Sequence, residues 1–262
     1  FSPPRRPSYL GFSKAQTMTR PVIAIVTGAA GAIGAAIVER LLIEGARVVA
    51  TDLDPGPLDA AAAAAPDRVA AVQGDITDPA LGSQLVGVAI QRFGAPTALI
   101  GCSGWLRDAR IQNMEPELFR RLLDINMVGP GRLMAAILPA LREQGYGRII
   151  SIASRAWLGN FGSSGYSAAK GGLVGASRSL ALAHAARGIT VNCIAPGFID
   201  TPMARSMPQD IVRRVVDAIP VGRAGTTDDV AALVSFLLSE ASGYITGQTI
   251  LCCGGRSISN PI

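Results

Sequence analysis

Tyr166 and Lys170, in the stretch Tyr-Ser-Ala-Ala-Lys, are four residues apart. On a helix that spacing puts both side chains on one face, about one turn from each other. A phenol and an ammonium held this way can act as an acid/base pair. The ammonium favours the phenolate and brings the tyrosine proton within reach of neutral pH. The chain is rich in arginine, yet Lys170 is the only lysine after Lys14. Position 170 therefore selects a compact ammonium over a planar guanidinium. A surface helix that carries Tyr and Lys by chance is the plain alternative, and the pair alone does not displace it.

The elements that would position this pair follow from periodicity. Short apolar runs alternate with helical patterns from Pro21 onward, the signature of a parallel α/β sheet. Strands are expected over Val22–Val26, Val48–Thr51, Val69–Gln73, Ala98–Cys102, Arg148–Ile152, Ile189–Ile194 and Gln248–Cys252. Helices are expected from the glycine turn to about Glu44, then over Ala60–Ala65, Pro79–Phe93, Pro116–Leu141, Ser164–Ala186 and Asp228–Ser239. Thr201–Ala218 reads as an irregular, mobile segment. Right-handed crossovers turn this order into a doubly wound sheet with ligands at the carboxyl ends of its strands. No repeat or interdomain linker interrupts residues 20–262, which read as one dinucleotide-binding catalytic domain. Residues 1–19, with scattered Pro, Arg and Ser, read as a flexible leader or extension, with Met18 a plausible start. An organelle transit peptide is the alternative for that segment.

Thr27-Gly28-Ala29-Ala30-Gly31-Ala32-Ile33-Gly34 lies between the first strand and the first helix. Glycines there let the backbone approach a pyrophosphate, and the helix N-terminus supplies amide donors and a favourable dipole. A turn needed only for tight packing would look similar. Asp52, some twenty residues on at the end of strand two, suits the two hydroxyls of a ribose. Asp75, after strand three, could reach an adenine or cap the next helix.

Composition narrows the partners. The chain is 49% hydrophobic and 16% charged, enough to fill a large core. Its net charge is +5, but four of its cations, Arg5, Arg6, Lys14 and Arg20, fall in the first twenty residues, which carry no acid. The balance of the body argues against nucleic-acid binding. No apolar run reaches the length of a membrane span. Cys102, Cys193, Cys252 and Cys253 lie in apolar stretches without metal-ligand spacing, as expected for reduced core residues of a cytoplasmic protein.

Taken in order, these motifs resemble the short-chain dehydrogenases/reductases over roughly Pro21 to Gly255. The resemblance rests on the glycine turn, Asp52, Asn126, Ser154, Tyr166 with Lys170, Pro196-Gly197 with Thr201, and Gly254-Gly255. It implies a Rossmann-type seven-stranded sheet, a nicotinamide cofactor and a homotetramer. Two departures stand out. Ala32 replaces the family's middle glycine, and Gly101-Cys102-Ser103-Gly104 replaces Asn-Asn-Ala-Gly after strand four.

By the same resemblance, Ser154 would orient a ketone oxygen, Tyr166 would donate the proton, and Lys170 would bind the nicotinamide ribose. Asn126 would distort its helix and hold a water that relays protons to Lys170. Gly28, Gly31, Ile33, Gly34, Asp52, Asp75 and Ile76 would bind the adenosine and diphosphate half of the cofactor. Pro196, Gly197, Ile199 and Thr201 would meet the nicotinamide. No metal site is expected. Asp52, with no basic residue in the turn or just after strand two, points to NAD over NADP. The substrate would be a small ketone or secondary alcohol, with 3-oxoacyl or 3-hydroxyacyl compounds leading. Cyclic or polyol alcohols, and a non-catalytic cofactor sensor of the same fold, are the alternatives. Trp157, Leu158, Phe161, Met203 and Met207 are candidates for an apolar pocket or for core or oligomer contacts.

Overall fold

In β1, Ile23–Thr27, every residue is buried, and consecutive side chains enter different cores. Ala24 and Val26 pack into one apolar cluster, and Ile23 and Ile25 into another. That is the period of two expected of a strand covered on both faces. The computed structural model describes residues 20–259. The expected leader, 1–19, lies outside them, as do the last three residues.

The remaining strands are β2 (Arg47–Asp52), β3 (Val69–Gln73), β4 (Ala98–Gly101), β5 (Gly147–Ile152), β6 (Ile189–Pro196) and β7 (Thr249–Cys252). They form one seven-stranded parallel sheet in the order β3-β2-β1-β4-β5-β6-β7. The helices are α1 (Ala32–Ile43), α2 (Gly56–Ala64), α3 (Leu81–Arg92), α4 (Pro116–Leu123), α5 (Gly129–Gln144), α6 (Ser164–His184), α7 (Pro202–Arg205), α8 (Gln209–Asp217) and α9 (Thr227–Leu238). α1 and α9 cover one face, through Ile37, Leu41, Val234 and Leu237. α3, α5 and α6 cover the other, through Leu85, Ile137, Leu141 and Leu173. This is the doubly wound sheet expected from the sequence. The order in which strands are added reverses between β1 and β4, and in such sheets that crevice takes the ligand.

Two expectations about elements are corrected. The helix expected over Pro116–Leu141 is interrupted by a π-helical turn, Asp124–Val128, in which the Gly129 N–H donates to the Asp124 carbonyl five residues back. Pro130 contributes to the break, because it has no N–H to offer the Asn126 carbonyl four residues earlier. The segment 201–218 is ordered into α7 and α8. Thr201 caps α7, accepting a bond from the Ala204 N–H at 3.3 Å. Asp210 and Arg214 pair one turn apart on α8 at 2.8 Å. These are ordinary helix-start and charge-pair signals that the lack of a continuous apolar stripe hid.

Candidate active site

Lys170 is 2% exposed, which for a lysine demands a compensating partner. Its ammonium donates to the Ile152 carbonyl, at the end of β5, at 2.9 Å. The Nζ lies 5.7 Å from the centre of the Tyr166 ring, one turn earlier on α6. Burial lowers the Lys170 pKa to about 8. Burial also raises that of Tyr166, while a hydrogen bond with the Ser154 hydroxyl pulls it down. The ammonium thus sits beside the ring but bonds elsewhere, and the tyrosine stays a phenol. Here burial outweighs the lowering expected from Lys170. Ser154 starts the turn after β5, and its Oγ also accepts from the Ala156 N–H at 3.2 Å.

Asn126 is fully buried in the π turn. Its Nδ2 donates to the Trp105 carbonyl at 2.8 Å and the Leu122 carbonyl at 3.0 Å, and its Oδ1 accepts from the Trp105 N–H at 3.1 Å. The side chain is therefore a clamp on the strand end after β4. A Cβ placed on Gly104 would lie 3.2 Å from Asn126 Oδ1 and 3.5 Å from Lys170 Nζ, so a side chain there would crowd that junction.

A cavity of about 1060 Å³ runs from the ends of β2 and β3 to Gly104, where it meets the cluster. Gly28, Gly31, Asp52, Asp75 and Ile76 line it, as expected. Gly28 has φ 63°, and a Cβ there would lie 2.7 Å from the Ser103 nitrogen. A Cβ on Gly34 would run into the Gly28 carbonyl. Asp52 accepts from the Ala30 N–H at 2.9 Å and the Leu53 N–H at 2.8 Å, which fixes the carboxylate at the turn. Asp75 accepts from the N–H and hydroxyl of Thr77, both at 2.8 Å. These bonds hold its carboxyl below the usual range. It does not cap α3; Asp78 bonds the Ala80 N–H near that start.

Other expected residues lie off the cavity wall. The Ile33 side chain packs against the core, so it can serve a ligand only through its amide. Ala32 opens α1 and is absent from the wall, so its methyl does not narrow the cavity. Ile199 is 7% exposed, with its side chain in the core. Its bridge to Gly225 uses the Asp200 N–H and the Phe198 carbonyl, and among the described residues no bond takes its own N–H or carbonyl. Pro196 ends β6, and a Cβ on Gly197 would lie 2.8 Å from Cys253 Cβ. Trp157 packs beside Val174 and Cys193, a core contact, whereas Phe161 and Met203 are largely exposed.

The sequence reading passed over several participants. Thr27 ties the loop after β4 to the end of β1, its Oγ1 accepting from the Ser103 N–H at 3.3 Å. Thr51 Oγ1 is buried on the cavity wall without a partner among the described residues. Cys102 packs against the core, as expected, and also lines the cavity; burial raises its thiol to about 12. Asp108 takes a hydrogen bond from Ser163, tying the loop after β4 to the start of α6. Arg120 and Arg121 of α4 also line the cavity. A lone Thr, Cys or Arg carries no spacing signal, so none of these was legible before folding.

All four cysteines are free. Among the described residues no group of His, Cys, Asp and Glu could hold a metal ion, and no helix is long and apolar enough to cross a membrane.

Comparison with known proteins gives a consistent result. The family model described as enoyl-(acyl carrier protein) reductase matches residues 28–257. The 3-oxoacyl-[acyl-carrier-protein] reductase FabG of Escherichia coli is 37% identical over 234 residues, spanning 89% of this chain and 96% of that protein. The (3R)-3-hydroxyacyl-CoA dehydrogenase of Rattus norvegicus is 36% identical over 260 residues, spanning 92% of this chain and 98% of that protein. The crystal structure of gox2181 superposes with a TM-score of 0.87 at 30% identity, covering 92% of this chain and 98% of that one. With its sheet order, glycine turn and Ser154, Tyr166 and Lys170 brought together, the chain belongs to the short-chain dehydrogenase/reductase family of oxidoreductases.

Proposed function

We propose that this protein is an NAD(H)-dependent oxidoreductase interconverting a ketone and a secondary alcohol, with 3-oxoacyl or 3-hydroxyacyl thioesters the leading substrates. The observation that carries this reading is the buried Lys170 ammonium, bonded at the end of β5, with the Tyr166 ring one turn earlier on α6 and the Ser154 hydroxyl near enough to pull the tyrosine's pKa down. The names of the relatives from Escherichia coli and Rattus norvegicus support the acyl substrate class.

The cavity suits a dinucleotide. Its turn has no room for a Cβ at Gly28 or Gly34, α1 begins without a capping side chain, and the buried Thr51 hydroxyl has no partner among the described residues. The first-turn amides of α1 would hold the diphosphate. Asp52 would take the ribose hydroxyls, with Asp75 and Ile76 beside the adenine. Ile199, through its free N–H and carbonyl, matches the donor and acceptor of a primary amide, and Pro196, Gly197 and Thr201 would set its position. When bound, nicotinamide supplies or accepts the hydride.

Ser154 orients the substrate oxygen with its hydroxyl. Tyr166, kept as a phenol by its burial, gives that oxygen a proton on reduction and recovers one on oxidation. Lys170 holds positive charge beside the ring while the phenolate exists. The Asn126 carbonyl, to which Pro130 has no N–H to offer, would hold a water that relays protons toward Lys170. A homotetramer fits the family habit and is part of this proposal.

Two measurements test it. NADH absorbance should change with a panel of 3-oxoacyl and 3-hydroxyacyl thioesters, and Tyr166→Phe should lower turnover by ~10²–10⁴-fold with the fold intact. A Phe variant of near-native rate would remove Tyr166 from the mechanism. No turnover across ketones and alcohols, with NADH still bound, would favour the sensor reading.

A further inference from the structure

Charge is unevenly placed around the cavity. Asp52, Asp54, Asp75, Glu117 and Asp124 bring carboxylates to its wall, and Arg120 and Arg121 are the cations among its lining residues. A dinucleotide brings two more negative charges on its diphosphate, and the turn from Gly28 to Gly34 has no basic side chain. Helix-start amides offset part of this, about half a charge. The rest must come from the arginines of α4.

Those two arginines are not equivalent. Arg120 is bonded to Glu117 on its own helix at 3.0 Å. Arg121 makes no ion pair among the described residues. Its guanidinium instead lies 5.0 Å from the centre of the Trp105 indole. The backbone that carries this indole is held by Asn126, which bonds both the N–H and the carbonyl of Trp105. Arg121 shares the cavity wall with Asp75, whose carboxyl is held down chiefly by Thr77 and to a lesser degree by the Arg121 charge. Trp105 is two residues from Ser103, whose backbone packs against Gly28 of the turn. Arg121 is thus a cation on the cavity wall with no ion-pair partner among the described residues.

We infer that Arg121 is a cofactor-binding residue: seated on Trp105, its guanidinium pairs with the dinucleotide's diphosphate and closes the open side of the cavity. Stacking on the indole holds the planar group before the ligand arrives, so little side-chain freedom is lost on binding. Arg120, already shared with Glu117, contributes less. This inference rests on the cofactor reading above.

The test measures binding without turnover. NADH binding is followed by its fluorescence, and ADP and adenosine by displacement of NADH, in the parent protein, Arg121→Ala and Arg121→Lys. Arg121→Ala should weaken NADH and ADP by ~10–100-fold, the span expected for loss of a charge-assisted pair. Adenosine should stay within about twofold, and Arg121→Lys should recover part of the loss. The salt dependence of NADH affinity should also flatten in Arg121→Ala. NADH and ADP affinities unchanged in Arg121→Ala would overturn the inference. An equal loss for adenosine would overturn it too, because the contact would then be to the base or the wall. So would a raised KM for a thioester substrate at unchanged NADH affinity, since Arg121 would then serve the substrate. Failure of the parent protein to bind NADH or ADP would overturn the cofactor reading and this inference with it.

Discussion

Lys170 is among the largest fully buried side chains of the molecule, and it keeps its place through one bond to the Ile152 carbonyl. A guanidinium there would need room for its plane and partners for its further donors, which the small neighbours Gly104 and Ala169 do not offer. Lys170→Arg should therefore lose most activity despite keeping the charge; steady-state rates check this. The depressed pKa also has a consequence for stability. Between about 8 and the ordinary lysine value of 10.5, the unfolded chain holds a proton that the folded chain has released. Stability gained from this group therefore rises with pH across that window, and below it the cost of the buried charge is present in full. Tyr166 and Cys102, whose pKa values are raised, act in the opposite sense at high pH. Urea unfolding of the parent protein and Lys170→Met, at pH 7 and pH 9.5, separates the terms. The parent should gain on the variant as pH rises, and a constant difference would mean that Lys170 keeps an ordinary pKa.

The glycine turn and α1 work as one element. Gly28 takes a left-handed φ against Ser103, and Gly34 seats the first turn of α1 on the Gly28 carbonyl. The turn tolerates Ala32 because that residue lies on the helix and not on the wall. Gly34→Ala should then abolish NADH binding or folding, whereas Ala32→Gly should leave NADH affinity within about threefold, the change costing no more than ~1 kcal/mol of helix propensity. Calorimetry and thermal melts of both variants check this. Asp52 belongs to the same element, since its carboxylate is tied to the turn by Ala30. That carboxylate would repel the extra phosphate of NADP, and no basic residue adjoins it. A preference for NAD(H) of at least roughly tenfold in kcat/KM is expected, about 1.4 kcal/mol. Asp52→Ala should erode it; equal efficiency with NADPH in the parent protein would show that the carboxylate does not select.

At the scale of the molecule, the sheet order brings the ends of β1, β2, β4 and β5 to one edge. The turn, Asp52, Gly104 and Ser154 therefore converge although they span more than a hundred residues of chain. α6 then crosses behind β5 and carries Tyr166 and Lys170 to the same edge. All of these groups lie within residues 20–259. Deleting residues 1–17 should leave activity and melting temperature unchanged. A loss of active protein would mean that the leader packs against the body or a second subunit.

The sequence alone determined the alternation of strands and helices, because burial on both sheet faces writes apolar runs such as Ile23–Val26 directly into the chain. It also determined the turn and the Tyr166–Lys170 pair, because each depends on neighbours no more than a few residues away. Composition and spacing could not show that Asn126 grips Trp105, that Thr27 holds Ser103, or that Arg121 rests on an indole. Those contacts join residues 16 to 76 positions apart and exist only once β1, β4 and α4 have met. The order in α7 and α8 and the break at Asn126 were hidden for a related reason. Local helix patterns set where a helix can start, but a missing donor at Pro130 and side-chain caps such as Thr201 set where it bends and ends.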